Sequence, residues 1–338
     1  MSGKEWAREF LFRKDRVGPD GGVRGPGEGG DGAARLAAFL RELEIGATQQ
    51  VGSLELVPLV AREASGEADL LLHEAIARGK IEIREREGGV VRELEAASRA
   101  DVPILILEGE TLVGCKQNRI VAVTILVPPR ATVVVPVGCM ERGRWSAGGP
   151  AFRCGAAKAG PPIRRENLRD VLHRRSVGIE DRLDQAQLWK TVACEMRQAG
   201  VRSPTDDYHE LIGRRESSVR DRAASFIPME RQVGAVALWK DRLLGIELAG
   251  RPGTWAASAA RAVPAFLMAA DDADLRPESA PPPTGRTARE WLAALAAGEV
   301  TARPARGLGE DLAVRGDRIE AAGLWHDGRP VHLVAFER

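Results

Sequence analysis

Two short stretches set chemically able side chains against apolar strands. In GCKQNRI, Lys116, Gln117, Asn118 and Arg119 run into RIVAVTILV; in VGCMERGRW, Cys139, Glu141, Arg144 and Trp145 follow ATVVVPVGC. An ammonium and guanidinium groups beside an aromatic ring suit a phosphorylated ligand that carries a planar base. Gln117 and Asn118 can fix hydroxyls or amides. Glu141, or Glu110 just upstream, could serve as general base if desolvation raised its pKa. Cys139 is a candidate nucleophile because cationic neighbours lower a thiol pKa, although no histidine lies near it in sequence. The same residues have a purely structural reading: an Arg119–Glu141 ion pair closes the sheet and Cys139 is a small buried filler.

The elements that must position these residues are strands. Side chains alternate between faces, so Gln117 and Arg119 continue the face of Val121, Val123, Ile125 and Val127, while Cys139 and Glu141 continue that of Val133, Val135 and Val137. Lys116 and Asn118 then lie on the opposite face. Matching the two apolar faces across a turn at Pro128, Pro129 and Arg130 predicts a hairpin that pairs Ile125 with Val133, Val123 with Val135 and Val121 with Val137. Continued outward, this register sets Arg119 opposite Cys139 and Gln117 opposite Glu141. A turn longer by two residues sets Arg119 opposite Glu141 instead.

Around this hairpin the pattern predicts an α+β protein. The N-terminal half is β-rich, with antiparallel hairpins built from VGSLELVPLV, KIEIRERE, VVRELEA and VPILILE. A helical segment follows: RRENLRDVLHRR, read as a solvated basic helix, and DQAQLWKTVACEMRQAG, with Leu188, Val192 and Met196 on one stripe and Gly200 as its stop. In SPTDDYHELIGRRESSVRDRAASF, Ser203 is the expected cap and Pro204 the first helical residue. A further hairpin turns at Lys240 and Asp241, and TWAASAARAVPAFLMAADDA is a helix interrupted at Pro264. Strands first and helices later, without βαβ alternation, argue against a doubly wound sheet. Three regions are expected: a flexible segment and Gly-rich linker at 1–32, a main domain at 33–276, and a linker with a small C-terminal helix-and-strand extension at 277–338.

Composition narrows the function classes. The 338 residues carry a formal charge of +1, with 44% hydrophobic and 29% charged residues, which fits a globular chain and not a nucleic-acid binder. Seven of the 49 basic residues are lysines, so Lys116 within the motif is informative. The four cysteines have no zinc-ligand spacing, and the five histidines form neither an HExxH nor a triad signature. A carboxylate metal site on Glu110, Glu141 and Asp184 is a third reading without support in spacing, so no metal ligands are assigned, and the sequence names no cofactor. The start, MSGKEWAREFLFRKDR, lacks the apolar core of a signal peptide, and no apolar run reaches the ~18–20 residues of a membrane span. The expectation is a cytoplasmic protein with no membrane and no nucleic acid among its partners.

LEGETLVGCKQNRI, VPVGCMERGRW, DQAQLWKTV, SPT and QVGAVALWKDRLLGIEL, in that order, resemble a bacterial family named for its association with ADP-ribosylglycohydrolases and rhodanese-phosphatases. The resemblance runs from about residue 45 to about 270. It carries over Glu110, Lys116, Gln117, Asn118 and Arg119, then Cys139, Glu141, Arg144 and Trp145, then Asp184, Gln185 and Trp189, with Gln232 and Glu247 on the later hairpin. Cys115 and Gly138 stand where the family pattern has Ala and Ser, which removes no charged group. The SPT here runs into Asp206, Asp207 and Tyr208 instead of small residues. The resemblance implies a setting in NAD and ADP-ribose metabolism, through gene and domain neighbourhood, and it implies no reaction. Two functions follow. One is a pocket protein that binds or acts on an ADP-ribose-like phosphorylated ligand, with Asp184 and Gln185 among its ligand contacts. The other is a non-catalytic protein-interaction or scaffold domain whose motif is a structural network.

Overall fold

The computed structural model describes residues 30–63, 66–86, 91–146, 149, 151–179, 181–275 and 286–338. The expected N-terminal linker lies outside these residues except for its last three, with which a helix begins, and the Pro-rich linker at 276–285 also lies outside.

The hairpin around Lys240 and Asp241 forms as expected. Strands β13 (Gln232–Trp239) and β14 (Arg242–Ala249) are joined by these two residues, both left-handed at φ 46° and 60°. Two consecutive positive φ values give the turn a twist that matches that of the strands it joins. Every residue of β13 is buried because both faces of its sheet are covered. Ala235, Ala237 and Trp239 meet the core under helix α6 (Pro252–Leu275), which supplies Trp255, Ala262 and Phe266. Val236 and Leu238 meet the other core, with Leu36 and Leu40 of helix α1 (Gly30–Glu42) and Trp291 and Leu295 of helix α7 (Ala288–Ala296). Helix α6 runs unbroken through Pro264, contrary to the expected interruption. Proline forfeits one backbone bond, but the residues on both sides of it are buried against the sheet and hold the helix together.

This nine-stranded sheet has the order β1-β3-β13-β14-β18-β17-β16-β15, with β2 also on β3. Its first strands are β1 (Leu43–Ile45), β2 (Gln49–Val51) and β3 (Leu54–Ala61). Its last are β15 (Glu299–Pro304), β16 (Glu310–Arg315), β17 (Ile319–His326) and β18 (Arg329–Glu337). The part expected as a small C-terminal extension is thus continuous with the main sheet, because β18 pairs with β14 on one side, Ile246 opposite Ala335, and with β17 on the other.

The motif strands belong to a six-stranded sheet of order β12-β8-β9-β11-β6-β5. These are β5 (Ile81–Glu85), β6 (Glu93–Ser98), β8 (Thr111–Gly114), β9 (Arg119–Val121), β11 (Thr132–Cys139) and β12 (Phe152–Cys154). The expected register holds at the polar end: Val121 lies opposite Val137 and Arg119 opposite Cys139. The rest of the expected hairpin does not form. Strand β10 (Ile125–Val127) pairs with β7 (Ile104–Ile106) in a third sheet completed by β4 (Leu70–Leu71), while Val133 and Val135 pair with Ala96 and Leu94 of β6. The switch falls at Pro136, which has no N–H for a ladder but whose carbonyl accepts from Ala122 at 3.0 Å. Thr124 then anchors the departing strand: its hydroxyl accepts from the Glu108 N–H at 3.1 Å and lies 2.8 Å from His332 Nδ1.

Of the remaining helices, α2 (Leu72–Ala77) is short, and α3 (Pro161–Ser176), α4 (Gln185–Gln198) and α5 (Tyr208–Ala223) pack beside the sheets. The buried stripe of α4 is Leu188, Val192 and Met196, and Gly200 follows it at φ 66°, as the sequence predicts. The cap of α5 is Asp207, not Ser203: its carboxylate accepts from the His209 N–H at 3.0 Å. Asp206, at φ 51°, turns the chain before the helix can start, and the Ser203 hydroxyl accepts from the Asp207 N–H instead. No helix among the described residues is long and apolar enough to cross a membrane.

Candidate functional site

The GCKQN residues form the β8–β9 loop and do not extend β9. Cys115 sits at φ 45°, and the Asn118 side-chain oxygen accepts from the Gly114 N–H at 3.0 Å, which closes the loop. Gln117 and Glu141 are therefore not a strand pair. Instead the Gln117 oxygen accepts from Arg119 Nη1 at 3.0 Å, and the Met140 N–H donates to the Asn118 carbonyl.

Glu141 is buried and heavily hydrogen-bonded. Its carboxylate accepts from Arg144 Nε at 2.9 Å to each oxygen, from the Thr205 hydroxyl at 3.0 Å and from the Asn118 N–H at 3.2 Å. The ion pair of this site is thus Glu141–Arg144, not the Arg119–Glu141 pair of the structural reading. Arg144 also donates to the carbonyls of Cys115 and Ser146 and to Asn118 Oδ1, so it clasps the two motifs together. Asn118 Nδ2 donates to Asp207 at 3.0 Å, which ties the loop to the start of α5. The SPT turn reaches this cluster because Gly143 has no side chain: a Cβ there would stand 2.9 Å from Thr205 Cα.

Asp184 and Gln185 have structural partners. Asp184 caps α4, accepting from the N–H groups of Ala186 and Gln187. Gln185 clamps the end of β11 from both sides, accepting from the Cys139 N–H at 2.7 Å and donating to the Cys139 carbonyl at 2.9 Å.

Arg119, Cys139, Lys116 and Trp145 remain. Arg119 is 1% exposed, its Nε hydrogen-bonds to nothing, and no carboxylate among the described residues ion-pairs with it. Burial holds its pKa below the usual arginine value, while the nearby Cys139 and Glu85 act in the opposite sense. Burial likewise pushes the Cys139 thiol up, against the pull of Arg119 and Arg92, which favours the thiol over the thiolate. At the surface, Lys116 Nζ lies 5.4 Å over the ring of Trp145 and 3.5 Å from Glu85, and Trp145 is 55% exposed.

Glu110 lies apart from this cluster. It is buried and accepts from Arg261 of α6 at 3.0 and 2.6 Å. Glu110, Glu141 and Asp184 thus have three separate sets of partners, and no group of metal-ligating side chains occurs among the described residues.

The sequence reading missed a second polar centre. Lys158, Arg164, Glu247, Glu108 and His332 meet in the interior: Arg164 ion-pairs with Glu108 and, at 2.9 Å, with Glu247, Lys158 reaches Glu247 at 2.5 Å, and His332 lies 3.4 Å from it. Burial alone would raise the Glu247 pKa, but Arg164, Lys158 and His332 outweigh it and hold the carboxyl well below the usual range. Arg164 belongs to the stretch read as a solvated basic helix. The available signal was its spacing, since Arg164, Leu168 and Val171 fall at i, i+4 and i+7 on one face.

The fold and site together define an α+β protein that carries a buried polar motif at the junction of two strands and two helix starts. The model of the ARG and Rhodanese-Phosphatase-superfamily-associated Protein domain matches residues 42–336, and the chain belongs to that family. No curated protein matches the chain. No solved structure matches it either.

Proposed function

We propose that the motif cluster binds a phosphorylated, nucleotide-derived ligand of the ADP-ribose or NAD type. The observation that carries this is Arg119, a buried guanidinium without a carboxylate partner among the described residues. An unpaired charge taken out of water is costly, and an anion supplied by a ligand would compensate it. The exposed Trp145 ring with Lys116 beside it suits a planar base, and the family's named association with ADP-ribosylglycohydrolases points to the same ligand class. Arg144, Asn118 and Glu141 shape the site and make no ligand contact, because their hydrogen-bonding groups already serve one another. Cys139 is not a nucleophile in this reading, and the ligand is bound without a covalent step.

A second reading draws on the same satisfaction of Glu141, Asn118 and Gln185: the motif is a structural network in a protein-interaction domain. Thermal melts of wild type, Lys116→Ala and Arg119→Met against ADP-ribose, NAD and AMP separate the two. The binding reading expects a nucleotide to raise the wild-type midpoint, by an amount equivalent to about 2.7 kcal/mol at a hundred times Kd, and expects both variants to fold without responding. No response from folded wild type, with Arg119→Met strongly destabilised, would establish the structural reading.

A further inference from the structure

A cavity of about 480 Å³ opens between the start of α3, one face of α4, the β13–β14 hairpin and the last turns of α6, and no residue of the cluster around Arg119 and Glu141 lines it. Its size falls within the range of small-molecule sites. One wall is apolar, with Trp239, Leu243 and Phe336.

The charges in this cavity are matched unevenly. Three of its four acids turn to arginines outside it: Glu166 to Arg169, Asp272 to Arg215 and Glu337 to Arg318, at 3.3, 2.5 and 2.5 Å. Its three cations, Arg165, Lys190 and Arg242, form no ion pair among the described residues. Arg165 Nε and Arg242 Nε and Nη1 are buried and hydrogen-bond to nothing there, although the Arg242 guanidinium lies 4.9 Å over the Trp239 ring. The fourth acid, Glu195, has no hydrogen bond or ion pair for its carboxyl among the described residues. Arg165 faces it from α3, Tyr208 and Arg215 from α5, and Asp272 from α6, while Lys190 and Arg242 line the same space. Burial first, and the Asp272 charge second, push its carboxyl up to about 7. Among the described residues the cavity therefore presents, near neutral pH, three cations without an ion pair, of which Lys190 is exposed, against one half-protonated acid.

We propose that this cavity is a second ligand site, which takes a small molecule with an oxyanion head, phosphate or carboxylate, on an apolar or aromatic body. The head meets Arg165, Lys190 and Arg242, the body lies along Trp239 and Phe336, and the protonated Glu195 carboxyl donates a hydrogen bond to the ligand. An anion beside Glu195 favours its neutral form, so binding takes up a proton. The site is independent of the motif cluster.

The test is calorimetric titration of the full chain with phenyl phosphate, benzoate, benzenesulfonate and uncharged benzamide. The expected result is saturable binding of the anions and none of benzamide, with the stronger of phenyl phosphate and benzoate naming the head group. Arg242→Met and Lys190→Met should each weaken binding about tenfold, as loss of a charged hydrogen bond does, and the exposed Arg99→Met should leave it unchanged. Benzenesulfonate keeps its charge, so its affinity should fall between about pH 6 and about pH 8 in wild type and stay level in Glu195→Gln. Failure of every anion to bind folded wild type, or binding indifferent to both the Arg242 and Lys190 substitutions, would overturn the site. A pH slope that survives in Glu195→Gln would remove Glu195 from it.

Discussion

Glu247 is buried and Glu195 half-buried in its cavity wall, and their surroundings move the two carboxyls in opposite directions. Glu195 is pushed up to about 7, so between about pH 4.5 and 7 the folded chain holds a proton that the unfolded chain has released. Its contribution is therefore most favourable in acid and declines as pH rises, by at most about 3 kcal/mol for a shift of this size. Glu195→Gln should melt above wild type at about pH 8 and level with it at about pH 4.5. Parallel melting curves at both pH values would show that the burial of Glu195 is not felt. Glu247 behaves in reverse, because Arg164 and Lys158 hold its carboxyl below the usual range. The stability it supplies is complete above about pH 4.5 and is lost as pH falls toward its depressed value. Glu247→Gln leaves two buried cations short of a partner and should cost about 3–5 kcal/mol in denaturant titrations. A loss below about 1 kcal/mol would mean that Glu108 alone neutralises the centre.

At the scale of elements, the motif is a joint. Gln185 holds the start of α4 to Cys139, and Gly143 lets the turn before α5 approach the strand end. Gln185→Ala removes two hydrogen bonds from the backbone of a buried strand end and should cost about 1–3 kcal/mol. It should also speed the reaction of Cys139 with a thiol reagent in the native state, and an unchanged rate would show that α4 is held there by its apolar stripe alone. That stripe, the β13–β14 turn and the Arg119–Cys139 register were legible because each depends on near neighbours in sequence and on strict periodicity. The exchange of partners by β11 was not. It depends on Pro136 within one strand and on Thr124 meeting His332, and the distant half of that contact leaves no local trace. The same limit hid the partner of Gln185, the distant Cys139 backbone, whereas the cap made by Asp184 is local, to Ala186 and Gln187, and is the kind of contact its residue type signals.

At the scale of the whole molecule, composition and element order were enough for an α+β protein, while the extent of the sheet was not legible. A Pro-rich stretch near residue 280 and a change of pattern after it look like a boundary, yet β18 lies between β14 and β17. Its His332 completes the buried centre around Glu247, and Val334 and Phe336 pack on Leu168 and Leu172 of α3. A chain ending at Leu275 would lose α7 and four strands, leave β14 as an open edge and uncover the apolar face of Val57, Val236 and Ile246. Such a chain should aggregate or melt without a cooperative transition, since so much of one core comes from the missing part. Co-expression with the separate 286–338 segment should restore a soluble complex, because the lost contacts are pairing and burial and need no covalent link at the Pro-rich stretch. A 1–275 chain that stays soluble and melts cooperatively by itself would show that the sheet up to β14 is self-sufficient and that the C-terminal strands are an addition to it.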